Sequence, residues 1–127
     1  MEFRVDRAAG MPAYRQLMHQ VRDAVRLGWL RPGDRLPTVR EVVATCGVNQ
    51  NTVLKAYREL ELAGLLEVRQ GSGTFVRSTV ESTATDLSPE LRRQLEDWVR
   101  SAREAGLNDE DMRALLGAAL TREDGGA

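Results

Sequence analysis

Apolar residues recur at helical spacing in three bursts along the first half of the chain. In the first, Tyr14, Leu17, Met18, Val21, Ala24 and Val25 make one stripe, entered past Gly10 and Pro12 and ended at Gly28. Ahead of it, Phe3-Arg4-Val5 alternates apolar and polar and predicts a short strand. Arg31-Pro32-Gly33-Asp34 reads as a turn. Thr38-Val39-Arg40-Glu41 then has the capping-box form, in which the threonine hydroxyl and the glutamate carboxylate satisfy free backbone donors reciprocally. Val39, Val42, Val43 and Cys46 share one face of the helix that follows, and Gly47 ends it. The third helix starts from Asn49 as N-cap and turns Val53, Ala56, Tyr57, Leu60 and Ala63 inward before Gly64 closes it.

The tight turn Cys46-Gly47-Val48-Asn49 makes the second and third helices a helix-turn-helix candidate, with Gly47 free to turn left-handed and Val48 placed to plug the angle. The period then switches from helical to alternating. Leu66–Gln70 and Thr74–Arg77 read as two strands around Gly71-Ser72-Gly73. A helix-turn-helix followed directly by a hairpin is a winged helix. The predicted fold class is therefore α+β, mostly α: a winged helix-turn-helix domain over 1–77 with its core at 11–77, then a C-terminal helical hairpin.

Residues 78–88 have the composition of a linker. Ser88-Pro89-Glu90 announces a fourth helix, whose Leu91, Leu95, Trp98, Ala102 and Ala105 fall at alternating steps of four and three. Gly106 ends it. Asn108 caps a fifth helix, with Asp109, Glu110 and Asp111 at its positive dipole end and Met112, Leu115, Leu116, Ala119 and Leu120 as its stripe; the tail from Arg122 is expected to fray. Two helices of about 16 and 13 residues cannot cover both stripes with each other alone. Either the winged helix or a second copy must cover them, and 89–127 is read as a dimerisation region built on Leu91, Leu95, Trp98, Ala102, Met112, Leu115, Leu116 and Leu120.

Charge sharpens this division. Net charge is −1, yet residues 1–80 carry 12 Arg/Lys against 8 Asp/Glu, while residues 81–127 carry 6 against 11. A basic first part points to nucleic acid. One cysteine forbids an intrachain disulfide and suits a reducing cytoplasm; no apolar run is long enough for a bilayer, and MEFRVDRAAG lacks the apolar core of a signal peptide. One histidine, His19, excludes a two-histidine metal motif, and the one lysine, Lys55, follows no glycine and so belongs to no P-loop. No catalytic constellation, metal site or cofactor is expected.

With the third helix laid on a wheel at about 100° per residue and Val53 at zero, Ala56, Tyr57 and Leu60 fall within about 60° of it. Asn51, Lys55 and Arg58 lie opposite, with Gln50 and Leu54 toward one edge. A merely solvated face is the plain alternative. Against it, Gln50, Asn51 and Thr52 are modest helix formers set in a row where base-edge hydrogen bonds are made, and Asn and Gln can each bond adenine bidentately. Lys55 and Arg58 suit phosphates. Gly71-Ser72-Gly73, with Arg69 beside it, is a hairpin turn able to enter a groove; it lacks the following helix that an enzyme's phosphate cradle needs. Cys46 reads as a small packed residue rather than a redox switch, His19 as a solvated helix residue, Asp109-Glu110-Asp111 as dipole pairing rather than a cation site, and Arg92-Arg93 as solvated charge or, alternatively, contacts to phosphates.

Arg31-Pro-Gly-Asp-Arg-Leu-Pro-Thr-Val-Arg-Glu41, Gly47–Val53, Ala56–Glu61, Gly64-Leu65 and Gly71-Ser-Gly-Thr-Phe-Val76 together resemble the GntR family of bacterial transcription regulators over about residues 11–77. The short acidic C-terminus is similar to the YtrA-like subfamily. The resemblance implies a homodimeric winged-helix repressor on a palindromic operator in double-stranded DNA, often beside transporter genes. It implies that Arg40 reaches DNA from the second helix, that Asn49, Gln50, Asn51 and Thr52 open the recognition helix, and that Gly71 is the wing-tip glycine at the minor groove. Some branches carry arginine where Gln50 and Leu54 stand, so this chain is expected to read a different sequence. Two rivals stay open: a winged-helix protein-interaction module without DNA binding, and the severed N-terminal domain of a larger enzyme-fused regulator. The sequence names no effector.

Overall fold

The computed structural model describes residues 1–78 and 88–125. The chain divides into two compact units, Met1–Asp86 and Leu87–Ala127. Nearly all of the expected linker, residues 79–87, lies outside the described residues.

Three helices, α1 (Ala13–Arg26), α2 (Val39–Cys46) and α3 (Gln50–Leu62), and two strands, β1 (Leu66–Arg69) and β2 (Gly73–Val76), make the first unit. The α1 stripe packs inward through Leu17, Val21, Ala24 and Val25, with Tyr14 and Met18 at its border. Thr38 Oγ1 accepts the Glu41 amide at 3.1 Å, so the threonine half of the capping box closes and starts α2. Gly47 ends α2 with φ +66°, a left-handed turn that a side chain would strain, and Val48 beneath it is buried. The angle between α2 and α3 is fixed there.

β1 and β2 pair antiparallel, with Leu66 opposite Val76 and Arg69 opposite Gly73. Leu66 and Val76 are fully buried while Val68, nearer the tip, is 60 % exposed. The hairpin is thus rooted in the core and projects from it. A third extended segment lies along β2: the Leu36 amide donates to the Thr74 carbonyl at 2.8 Å, the Val76 amide to Asp34 at 2.8 Å, and Arg35 bridges to Phe75. Leu36, Val42, Val53 and Leu60 complete the core with them.

The expected strand at Phe3–Val5 does not form. Phe3 is buried, but the neighbouring backbone is held by glutamines of α1: the Arg4 amide donates to Gln20 Oε1 at 2.9 Å and the Asp6 amide to Gln16 Oε1 at 2.8 Å, while both side-chain amides donate back to the same residues' carbonyls. Side chains take the place of a neighbouring strand.

The second unit holds α4 (Pro89–Glu104) and α5 (Asp109–Gly125). Ser88 Oγ caps α4 on the Leu91 amide at 3.0 Å. Asn108 and Asp111 bond each other's amides reciprocally at 2.8 and 2.9 Å, and Arg103 pairs with Asp109 at 3.0 Å across the turn. α5 continues through Gly125, where fraying was expected from Arg122. Ala102 and Met112 are buried and Trp98 is half-buried, but Leu91, Leu95, Leu115, Leu116 and Leu120 stay 41–67 % exposed.

Candidate nucleic-acid interface

α3 presents its polar face outward because its inner face is committed. Val53, Ala56, Tyr57 and Leu60 are buried, which leaves Gln50, Asn51, Leu54, Lys55 and Arg58 exposed and Thr52 half-buried. Tyr57 fastens this arrangement. Its hydroxyl donates to the Pro37 carbonyl at 2.6 Å, tying α3 to the segment entering α2. Burial, then the charge of Glu41, pushes the Tyr57 phenol well up from its ordinary value, so it remains a donor.

Asn49 is exposed and spent structurally in part: its Oδ1 accepts the Asn51 amide at 2.7 Å as the N-cap. Arg40, exposed on α2, shares a shallow groove with Thr38, Val39, Val43 and Gln50. The structure thus brings Arg40 and Gln50 together on neighbouring elements. Arg58 and Arg40 belong to no ion pair among the described residues.

Lys55 stands elsewhere. Its Nζ rests 4.1 Å from the centre of the Tyr14 ring, a cation–π contact toward α1. Neither the spacing nor the wheel signals this, because the partner lies 41 positions away on another helix.

On the wing, Gly71 and Ser72 are exposed at the tip, and Gly73 lies inside β2 rather than in the turn. Arg69 stacks 4.3 Å above the Phe75 ring and pairs with Glu67 at 2.9 Å. Gly73 has φ +127°, and a Cβ there would come within 3.1 Å of Arg35 Nε. Arg35 therefore lies against the wing, a basic group just past the Arg31–Asp34 turn that sequence reading missed. Arg7 was missed too; its guanidinium donates to the Gly47 carbonyl at 2.7 Å and secures the interhelical turn.

The remaining residues have plain settings. Cys46 Sγ donates to the Phe3 carbonyl at 3.3 Å, His19 is exposed, and Arg92 pairs with Glu96 at 3.3 Å. Among the described residues no group of three or more His, Cys, Asp and Glu could hold a metal ion, and no helix is long and apolar enough to cross a membrane.

The model of the bacterial regulatory proteins of the gntR family matches residues 13–76, which spans α1 through the wing. The chain belongs to the GntR family. HTH-type transcriptional regulator Rv1152 of Mycobacterium tuberculosis is 44% identical over 113 residues, covering 89% of each chain. HTH-type transcriptional repressor YtrA of Bacillus subtilis is 33% identical over 113 residues, 88% of this chain and 87% of that one. Among solved structures, YtrA from Sulfolobus acidocaldarius, a GntR-family transcription factor, matches with TM-score 0.57 at 26% identity over 93% of this chain and 96% of the other. The DNA-binding domain of AraR in complex with operator ORX1 matches with TM-score 0.55 at 28% identity over 60% of this chain and 98% of that one. As a GntR protein of YtrA-like kind, the chain is a DNA-binding transcription regulator and not an enzyme. Its winged-helix fold with C-terminal helices is the one the sequence predicts.

Proposed function

We propose that the chain is a repressor that binds a palindromic operator as a homodimer in the cytoplasm, with control of transporter genes as its role. The observation that carries the dimer is the row of exposed leucines, Leu91, Leu95, Leu115, Leu116 and Leu120, on a unit that buries few apolar side chains of its own. A second copy is the occupant that fits. One winged helix reads one half-site, and two-fold pairing supplies the second reader that a palindrome requires. Arg40, Gln50, Asn51 and Thr52 take base edges; Asn49, Lys55 and Arg58 take phosphates, and Arg69, Gly71, Ser72 and Gly73 carry the wing to the neighbouring groove. Binding would act sterically, by covering promoter DNA.

A mobility shift on the chain's own upstream DNA tests this directly. The expected result is a single retarded complex that competes with unlabelled upstream DNA and resists random duplex. A chain with no preference for any DNA would instead support the interaction-module reading.

A further inference from the structure

We infer that Leu54 reads the methyl group of a thymine in each half-site, a specificity contact that rests on the DNA-binding role proposed above. Leu54 lies one helical turn beyond Gln50 and is 37 % exposed. The outward groups around it are polar or charged: Gln50, Asn51 and Arg58. Its neighbour Val53 is fully buried, so α3 cannot roll to hide Leu54 without opening the core. Lys55 is drawn aside to Tyr14. The exposed surface of the first half of α3 therefore has a cationic flank against α1, an amide at its centre in Asn51, and an apolar spot beside Gln50, while Glu59, Glu61 and Leu62 are exposed at the far end of the helix.

The chemistry of the major groove gives such a spot one complement. Every base pair displays hydrogen-bond donors and acceptors there, but thymine alone adds a methyl group. A leucine offers no hydrogen bond, so it would strip water from a cytosine or adenine amino group and return nothing. Against a thymine methyl the same side chain loses only apolar hydration. Positions four apart on a helix face lie about 6 Å apart, and stacked bases rise about 3.4 Å per step. The thymine read by Leu54 therefore stands within about two base pairs of the base read by Gln50.

The test begins by selecting sites from a random duplex library with the full chain. Each thymine of the selected site is then replaced in turn by deoxyuridine, which removes only the methyl. Binding is measured with the wild-type chain and with Leu54→Ala, a change at an exposed position that leaves the core residues in place. The expected result is one thymine per half-site at which uracil weakens wild-type binding about fourfold, the loss of one buried methyl, and at which L54A binds thymine and uracil alike. Repeating the selection with Leu54→Arg should erase the thymine preference at that position. A library that yields no enriched sequence overturns the DNA-reading role and this inference with it. An enriched site that tolerates uracil everywhere, or whose uracil sensitivity persists undiminished in L54A, overturns the Leu54 assignment alone.

Discussion

Two exposed residues of α3 divide its labour differently from what their spacing suggests. Asn51 stands free on the outward face, whereas Lys55 is already engaged by the Tyr14 ring. Substituting Asn51 by alanine is expected to cost about 1–3 kcal/mol on the operator and little on random duplex. Lys55→Ala should weaken both DNAs by one common, smaller factor. Parallel titrations on the two duplexes check this; equal losses on both for Asn51→Ala would place it on the phosphates. Gly73 sets a second constraint at this scale. With φ +127° and only 3.1 Å between a notional Cβ and Arg35 Nε, alanine there meets both backbone strain and a guanidinium. Gly73→Ala is expected to lower stability by about 1–3 kcal/mol in urea unfolding. Tyr57→Phe should cost about 1 kcal/mol through the lost bond to Pro37. Because burial raises the folded phenol above its ordinary value of 10, the tyrosine's contribution is whole below that pH and declines above it. The phenylalanine variant should not show that decline.

At the scale of elements, what could be read from the sequence was whatever is decided locally. α1 starts after Pro12 without a capping side chain. α2 and α3 start where their caps say and α2 stops at its glycine, because Thr38, Asn49 and Gly47 act on backbone groups within four residues of themselves. The same holds for Ser88 and Asn108 in the second unit. Phe3–Val5 failed for the opposite reason. Its alternation is real and Phe3 is buried, but the groups that pair with its neighbours are side chains 10 and 16 positions away on α1. No local pattern separates a strand with a sheet partner from one held by glutamines. Arg35 was invisible likewise, since its place beside Phe75 depends on a pairing across 40 residues. The N-terminal segment thus hangs on Gln16 and Gln20, and Gln20→Ala should release it. Loss of protection from hydrogen exchange at the Arg4 amide, with the amides of α3 unaffected, is the expected signature. If the Arg4 amide stays protected, Phe3, Gln16, Arg7 and Cys46 hold the segment without Gln20.

Over the whole molecule the argument turns on linkage between two readers. A chain ending after Arg77 keeps the complete core of the first unit and every side chain assigned to DNA, so it should fold. What it loses is the second reader held at fixed spacing, an advantage worth about 10²–10⁴ in affinity when the geometry fits. The truncated chain should sediment as a monomer and bind the operator weaker by that factor. Leu95→Arg in the full chain should reproduce both effects, because an unpaired charge placed among apolar side chains disfavours their association. Half-sites should be centred about 10 base pairs apart, or a multiple of that, so that both recognition helices meet the same face of the duplex. Salt provides an independent check. With about four phosphate contacts per subunit, the dimer should lose affinity with a slope of about −7 in log K against log salt, and the truncated monomer with about half of that. A truncated chain that still sediments as a dimer, with undiminished binding and the full slope, would move the interface into the winged helix and leave the leucines of α4 and α5 to some other partner.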